Sequence, residues 1–226
     1  MTTAINSTPR PLFLSVEGPI GVGKTTLTKI LSKHVDAFSL REIIEENPYL
    51  KDFYENIEEY AFQTEMFFLC NRLKQLSDVQ TKKLEQGIPV IADYNIIKNL
   101  IFAGLTLDLN QFQKYKQVYS ILIDGLIQPD VIIYLHGDVD FLMKRIEMRD
   151  RPFERNMSKQ YISDLSDEYA HYFAPCSLKH YFTEIPKVIS INVTNRDFVN
   201  NPEDVKYVLQ EINNATGQNY YLKEDK

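Results

Sequence analysis

SVEGPIGVGKTTL, residues 15–27, decides the fold. Gly18-Pro19-Ile20-Gly21-Val22-Gly23-Lys24-Thr25 satisfies the pattern G-x-x-x-x-G-K-[ST], and Thr26 follows it. Glycines at these spacings let successive backbone N–H groups turn inward toward phosphate oxygens. A helix starting here adds its positive end. Lys24 supplies a mobile charge for β- and γ-phosphates, and the Thr25 hydroxyl is a candidate Mg²⁺ ligand. A chance match in a glycine-rich turn would lack context. Here the apolar run Leu12–Val16 reads as a buried strand before the loop, and Leu27, Ile30, Leu31 and Val35 have helical spacing after it. The loop is expected to hold a nucleoside triphosphate.

Outward from the loop, strands alternate with helices. The predicted strands are 11–16, 37–44, 88–93, 130–137 and 187–193. The predicted helices are 27–35, 57–85, 109–127, 139–149, 158–182 (bent or broken by Pro175) and 202–213. This alternation implies a three-layer α/β fold, a five-stranded parallel sheet covered on both faces. With no repeat or linker, residues 1–226 read as one domain, frayed over 1–10 and about 220–226.

Composition narrows the class. The chain has 226 residues, 44% hydrophobic and 25% charged, as in ordinary globular proteins. A net charge of −6 argues against nucleic acid as the main partner. Cys70 and Cys176 have no metal-ligand spacing. No stretch reads as a signal peptide or a bilayer span, so a cytoplasmic protein without a membrane partner is expected.

Phosphate-loop proteins include switches, motors and kinases. A GTPase switch would carry N-K-x-D and D-x-x-G, and neither occurs. Arg145, Arg149 and Arg151 form a basic candidate lid, two of them on one helix face, suited to stabilising a moving phosphoryl group. Asp93 ends an apolar strand, where a carboxylate reaches Mg²⁺ directly or through water. Glu42, at the end of the second predicted strand, is a candidate general base, with Glu45 and Glu46 competing. A slow nucleotide sensor is the alternative from another class.

VEGPIGVGKTT, EIIEENPYL, FYENIEEYAFQTEMFFLCNRLKQL, IADYNIIKN and RIEMRDRPFE, in this order, resemble the deoxynucleoside kinase family, and its bacterial deoxyguanosine kinase branch most of all. The resemblance implies phosphorylation of a deoxynucleoside 5′-hydroxyl with ATP and Mg²⁺, by a homodimer built on long helices. It places the base on Glu42, 3′-hydroxyl contacts on Tyr54 and Glu154, and the lid arginines on Arg145, Arg149 and Arg151. The base-reading position falls on Glu65, with Arg72 as its partner seven residues on and Asn99 near the base edge. Relatives commonly have glutamine where this chain has Glu65. An ionised carboxylate only accepts hydrogen bonds, so it suits the N1–H and N2 amino donors of guanine and faces acceptors on adenine and cytosine. Deoxyguanosine is therefore the expected substrate, with deoxyadenosine or another deoxynucleoside as the alternative. The family's arginine after the strand-end acid is missing from Asp93-Tyr94-Asn95, leaving Lys98 or a lid arginine to replace it.

Overall fold

The computed structural model describes residues 10–44, 46–182 and 184–223. Its centre is strand β1 (Phe13–Glu17), buried at every position, as a continuous apolar run in a doubly covered sheet must be. Around it lie β2 (Phe38–Leu40), β3 (Val90–Ala92), β4 (Val131–His136) and β5 (Lys187–Asn192), all parallel. Among the described residues the sheet has five strands in the order β2-β3-β1-β4-β5.

The helices are α1 (Lys24–Val35), α2 (Leu50–Glu55), α3 (Ile57–Lys82), α4 (Lys98–Thr106), α5 (Leu109–Leu122), α6 (Val139–Arg149), α7 (Lys159–Tyr172), α8 (Pro175–Leu178) and α9 (Pro202–Thr216). Side chains of α1, α6 and α9 pack on one sheet face with Leu14, Val16, Ile133 and Leu135. Those of α2, α3, α4, α5, α7 and α8 pack on the other with Phe13, Val90, Ile132 and Tyr134. Sequence-local caps start several helices: Asn56, Asp108 and Ser158 accept from the backbone N–H three residues on.

Several boundaries differ from expectation. The strand predicted over 37–44 pairs only at Phe38–Leu40, so Glu42 lies beyond the ladder in a segment without regular structure. The 57–85 stretch is α3 plus a 3₁₀ turn at Leu84–Gln86, stopped by Gly87 in the left-handed region. The 109–127 stretch ends at Leu122, and 158–182 divides into α7 and α8 with Pro175 starting the second. Two helices had no prediction. α2 is only six residues long, and α4 (KNLIFAGLT) lies between α3, α5 and α7, so it lacks the one-sided apolar stripe that periodicity detects.

Candidate active site

Ligands in such sheets bind beyond the carboxyl ends of the strands. A cavity of about 390 Å³ opens there, walled by the loop after β1, by α2, α3 and α4, and by the segment after α6. Gly21, Gly23, Lys24, Thr25 and Thr26 form one wall, with Ile20 beside them. Gly18, Gly21 and Gly23 have φ of 147°, 84° and 101°, which a side chain would strain. Val22 is buried in the core, and Gly18 and Pro19 turn their carbonyls to Lys24, whose Nζ donates at 2.6 and 2.9 Å. Burial, with Lys98 nearby, lowers the Lys24 pKa to about 8 despite the neighbouring acids Glu17, Glu42 and Asp93.

Behind this wall stands a satisfied buried carboxylate that sequence reasoning missed. Glu17 accepts from Gly18 N, Asn95 N and Tyr169 Oη at 3.0, 2.6 and 2.8 Å. It ties the glycine loop to the segment after β3 and to α7. Its only signal in the sequence is an acid ending the strand FLSVE, directly before the glycine loop.

The opposite wall carries charge. The Glu42 side chain is 5% exposed and receives Lys98 Nζ at 2.7 Å on Oε2. Arg72 donates to Oε1 through Nε at 2.9 Å and through Nη2. Burial alone would raise the Glu42 pKa, but Lys98 and Arg72 outweigh it and hold the group at about 2. Of the two residues suggested for the missing arginine, Lys98 is the one on this carboxylate. Glu46 is exposed, and Glu45 lies outside the described residues.

Asp93 does not line the cavity but braces it. Its Oδ1 accepts from Glu42 N at 2.7 Å and its Oδ2 from Thr25 Oγ1 at 2.9 Å. Burial and the Glu42 charge raise its pKa. Among the described residues no group of three or more His, Cys, Asp or Glu could hold a metal alone. Thr25 and Asp93 fit a hard cation that takes most of its oxygen ligands from phosphates and water.

Further in, Tyr54 stacks on Phe153, with ring centroids 6.0 Å apart. Glu154 is buried and gripped by Arg149, whose Nε and Nη2 reach it at 3.1 and 2.6 Å, with Arg151 at 3.6 Å. Glu65, 2% exposed, and Phe68 complete the wall from α3, whereas Gln63 is exposed. Of the phenylalanines in FQTEMFFLC, Phe68 is the one lining the cavity, and the Arg72 guanidinium lies 4.7 Å from its ring centroid. Asn99 does not reach the wall. It is fully buried against α5, donating to Tyr115 Oη at 2.9 Å.

A second cavity, about 440 Å³, is lined by Lys144, Arg145, Asn195, Arg196 and Asp197. Arg145 lines both cavities, and its Nη1 lies 3.2 Å from where a Cβ on Gly23 would stand. It joins the two spaces across the glycine loop.

The sheet order, the glycine loop between β1 and α1 and the arginines after β4 define a kinase of the three-layer α/β type. The family model for deoxynucleoside kinases matches residues 14–216, and the chain belongs to that family. It is 44% identical to a deoxyguanosine kinase of Bacillus subtilis over 200 residues, covering 88% of this chain and 95% of that one. It is 29% identical to a deoxyadenosine/deoxycytidine kinase of the same organism over 213 residues, 90% and 93% of the two chains. The fold matches deoxyadenosine kinase from M. mycoides with bound dATP at a TM-score of 0.75 and 20% identity, over 89% of this chain and 99% of that one. Among the described residues no helix is long and apolar enough to cross a membrane.

Proposed function

We propose that this kinase transfers the γ-phosphoryl group of ATP to the 5′-hydroxyl of a purine deoxynucleoside, deoxyguanosine before others. The observation that carries this reading is Glu65, a buried carboxyl on the cavity wall, in a chain 44% identical to a deoxyguanosine kinase. In this reading Tyr54 and Glu154 hold the 3′-hydroxyl, Glu65 and Arg72 face the base with Asn99 behind them, and Glu42 receives the 5′-hydroxyl. Gly18–Thr26 hold the donor phosphates. Arg145 spans from them to the second cavity, which takes the donor base. Mg²⁺, held by phosphates and by Thr25 and Asp93, supplies charge neutralisation. We read the working unit as one cytoplasmic domain that pairs into a homodimer through long helices. Exposed apolar side chains such as Leu109 and Ile121, 75% and 74% accessible on α5, support that pairing.

The 5′-oxygen forms its bond to phosphorus as the bond to the ADP oxygen breaks, and the hydroxyl proton passes to Glu42. A carboxylate held near pKa 2 is a weak base, so this transfer comes late, after the new P–O bond has acidified the hydroxyl. Until then Glu42 orients the nucleophile, and Lys98 and Arg72 orient Glu42. Lys98→Met should lower kcat on the order of 10²-fold, the usual worth of one preorganised charge, with nucleoside affinity changed far less. A loss confined to KM would remove Lys98 from this role.

The deciding experiment is ADP release with ATP and Mg²⁺ and each deoxynucleoside, in wild type and Glu65→Gln. Wild type should prefer deoxyguanosine, and the variant should lose that preference by about 10²-fold, since a few kcal/mol attach to an unpaired buried polar group. A wild-type preference for deoxycytidine would overturn the reading of Glu65.

A further inference from the structure

Glu65 is a buried acid with one long side-chain hydrogen bond among the described residues and no ion pair of its own. Two nearby cations are paired with Glu42: Arg72 on the same helix through Nε and Nη2, with its Nη1 buried and unpartnered, and Lys98 on α4 through Nζ. The side chain that approaches Glu65 is Thr106 on α4, with Oγ1 3.5 Å from Oε1. A hydroxyl has one proton, and Thr106 Oγ1 also lies 2.9 Å from Phe102 O. The shorter contact to Phe102 O competes for that proton and leaves Glu65 the longer, weaker hydrogen bond. Glu65 Oε2 is buried without a partner.

The remaining groups around Glu65 do not charge-balance it. Glu42, beyond β2, is an anion. α2, α5 and α7 bring the phenols of Tyr54, Tyr115 and Tyr161, all pushed up by burial and thus neutral. Tyr115 turns its hydroxyl to the Glu65 backbone carbonyl, not to the carboxyl. Arg149 and Arg151 are directed to Glu154. Burial, only partly opposed by Arg72, Lys98 and the Thr106 hydrogen bond, raises Glu65 to about 7.

Resting on the proposed function, we infer that Glu65 carries a proton in the free enzyme near neutrality and that this proton selects the purine. The anion accepts from guanine N1–H and the N2 amino group. The acid donates its one proton to N1 of adenine, the position where the anion would set acceptor against acceptor. Deoxyguanosine binding therefore expels a proton, and deoxyadenosine becomes a substrate of the protonated enzyme.

The test is competition between deoxyguanosine and deoxyadenosine in one tube, from pH 5.5 to 8.5, reading the ratio of their kcat/KM values. The ratio cancels every titration common to both, including those of Lys24, Asp93 and the phosphates. It should rise about tenfold per pH unit across the range, because the two substrates draw on the anion and the acid of one group and the ratio of those forms changes tenfold per unit. In Glu65→Gln the ratio should not change with pH. A flat wild-type ratio, or a slope that survives in Glu65→Gln, overturns the inference. A flat ratio with deoxyguanosine still preferred and that preference lost in Glu65→Gln leaves Glu65 as base reader and removes only the proton. No phosphorylation of any nucleoside at any pH overturns the proposed function as well. Calorimetry in two buffers of different ionisation enthalpy checks this without turnover: deoxyguanosine binding at pH 6 should release close to one proton, and Glu65→Gln none.

Discussion

Glu42→Gln should bind nucleoside and ATP within a few-fold of wild type and turn over about 10²–10⁴ times more slowly, the range for loss of a positioned acid–base group. The amide keeps one acceptor for Arg72 and sets its NH₂ against Lys98 or Arg72, both of which now donate to the carboxylate. Both buried cations then lose their anion, and breaking a buried pair costs about 3–5 kcal/mol. The melting temperature should fall with kcat. Single-turnover measurement with saturating substrates separates the two effects. A folded variant within tenfold of wild type in the chemical step would show that Glu42 neither orients nor deprotonates the 5′-hydroxyl.

Gly18→Ala should be the most damaging change in the glycine loop. Gly18 has φ of 147°, and a Cβ there would lie 2.1 Å from Leu135 O and 3.2 Å from Val22 Cγ1. The first obstacle is the backbone of β4, the strand beside β1, which no rotamer change relieves. Backbone strain of about 1–3 kcal/mol and overpacking of about 1–3 kcal/mol combine, so roughly 2–6 kcal/mol of stability is lost. Because Gly18 O also anchors Lys24, nucleotide binding should fail before unfolding does. Thermal melts with and without ATP report both. A variant melting within a degree of wild type and still stabilised by ATP would refute the clash. Gly87→Ala is the control, since nothing lies within 4 Å of a Cβ there and only its φ of 79° is strained.

Both variants strike groups where several segments meet at one carboxylate or one carbonyl. Glu17 joins the glycine loop, the segment after β3 and α7. Asp93 joins Thr25 to Glu42 N, and Glu42 joins α3 to α4. Two buried carboxylates are driven apart by their surroundings: Glu42, bonded by Lys98 and Arg72, stays low, and Glu65, whose burial those cations only partly oppose, rises.

The sequence by itself determined the order of strands and helices, because each strand is a short apolar run and most helices carry a one-sided stripe. It also determined the glycine loop, whose spacing is a local property of eight residues, and the sharing of an α3 face by Glu65 and Arg72, because seven residues make nearly two turns. It did not determine α4, which is apolar around much of its circumference, nor the short pairing of β2, which depends on β3. It left Lys98 and a lid arginine equal as partners of Glu42, and it placed Asn99 at the base edge, whereas the structure turns it toward Tyr115. Above all, it treated Glu65 as an ionised acceptor. Only the tertiary structure shows that Arg72 and Lys98 are engaged by Glu42 and that Thr106 reaches Glu65 only at 3.5 Å while also bonding Phe102 O. The charge on a buried carboxyl is set by what surrounds it in space, and residues 42, 65, 72, 98 and 106 meet only once the chain is folded.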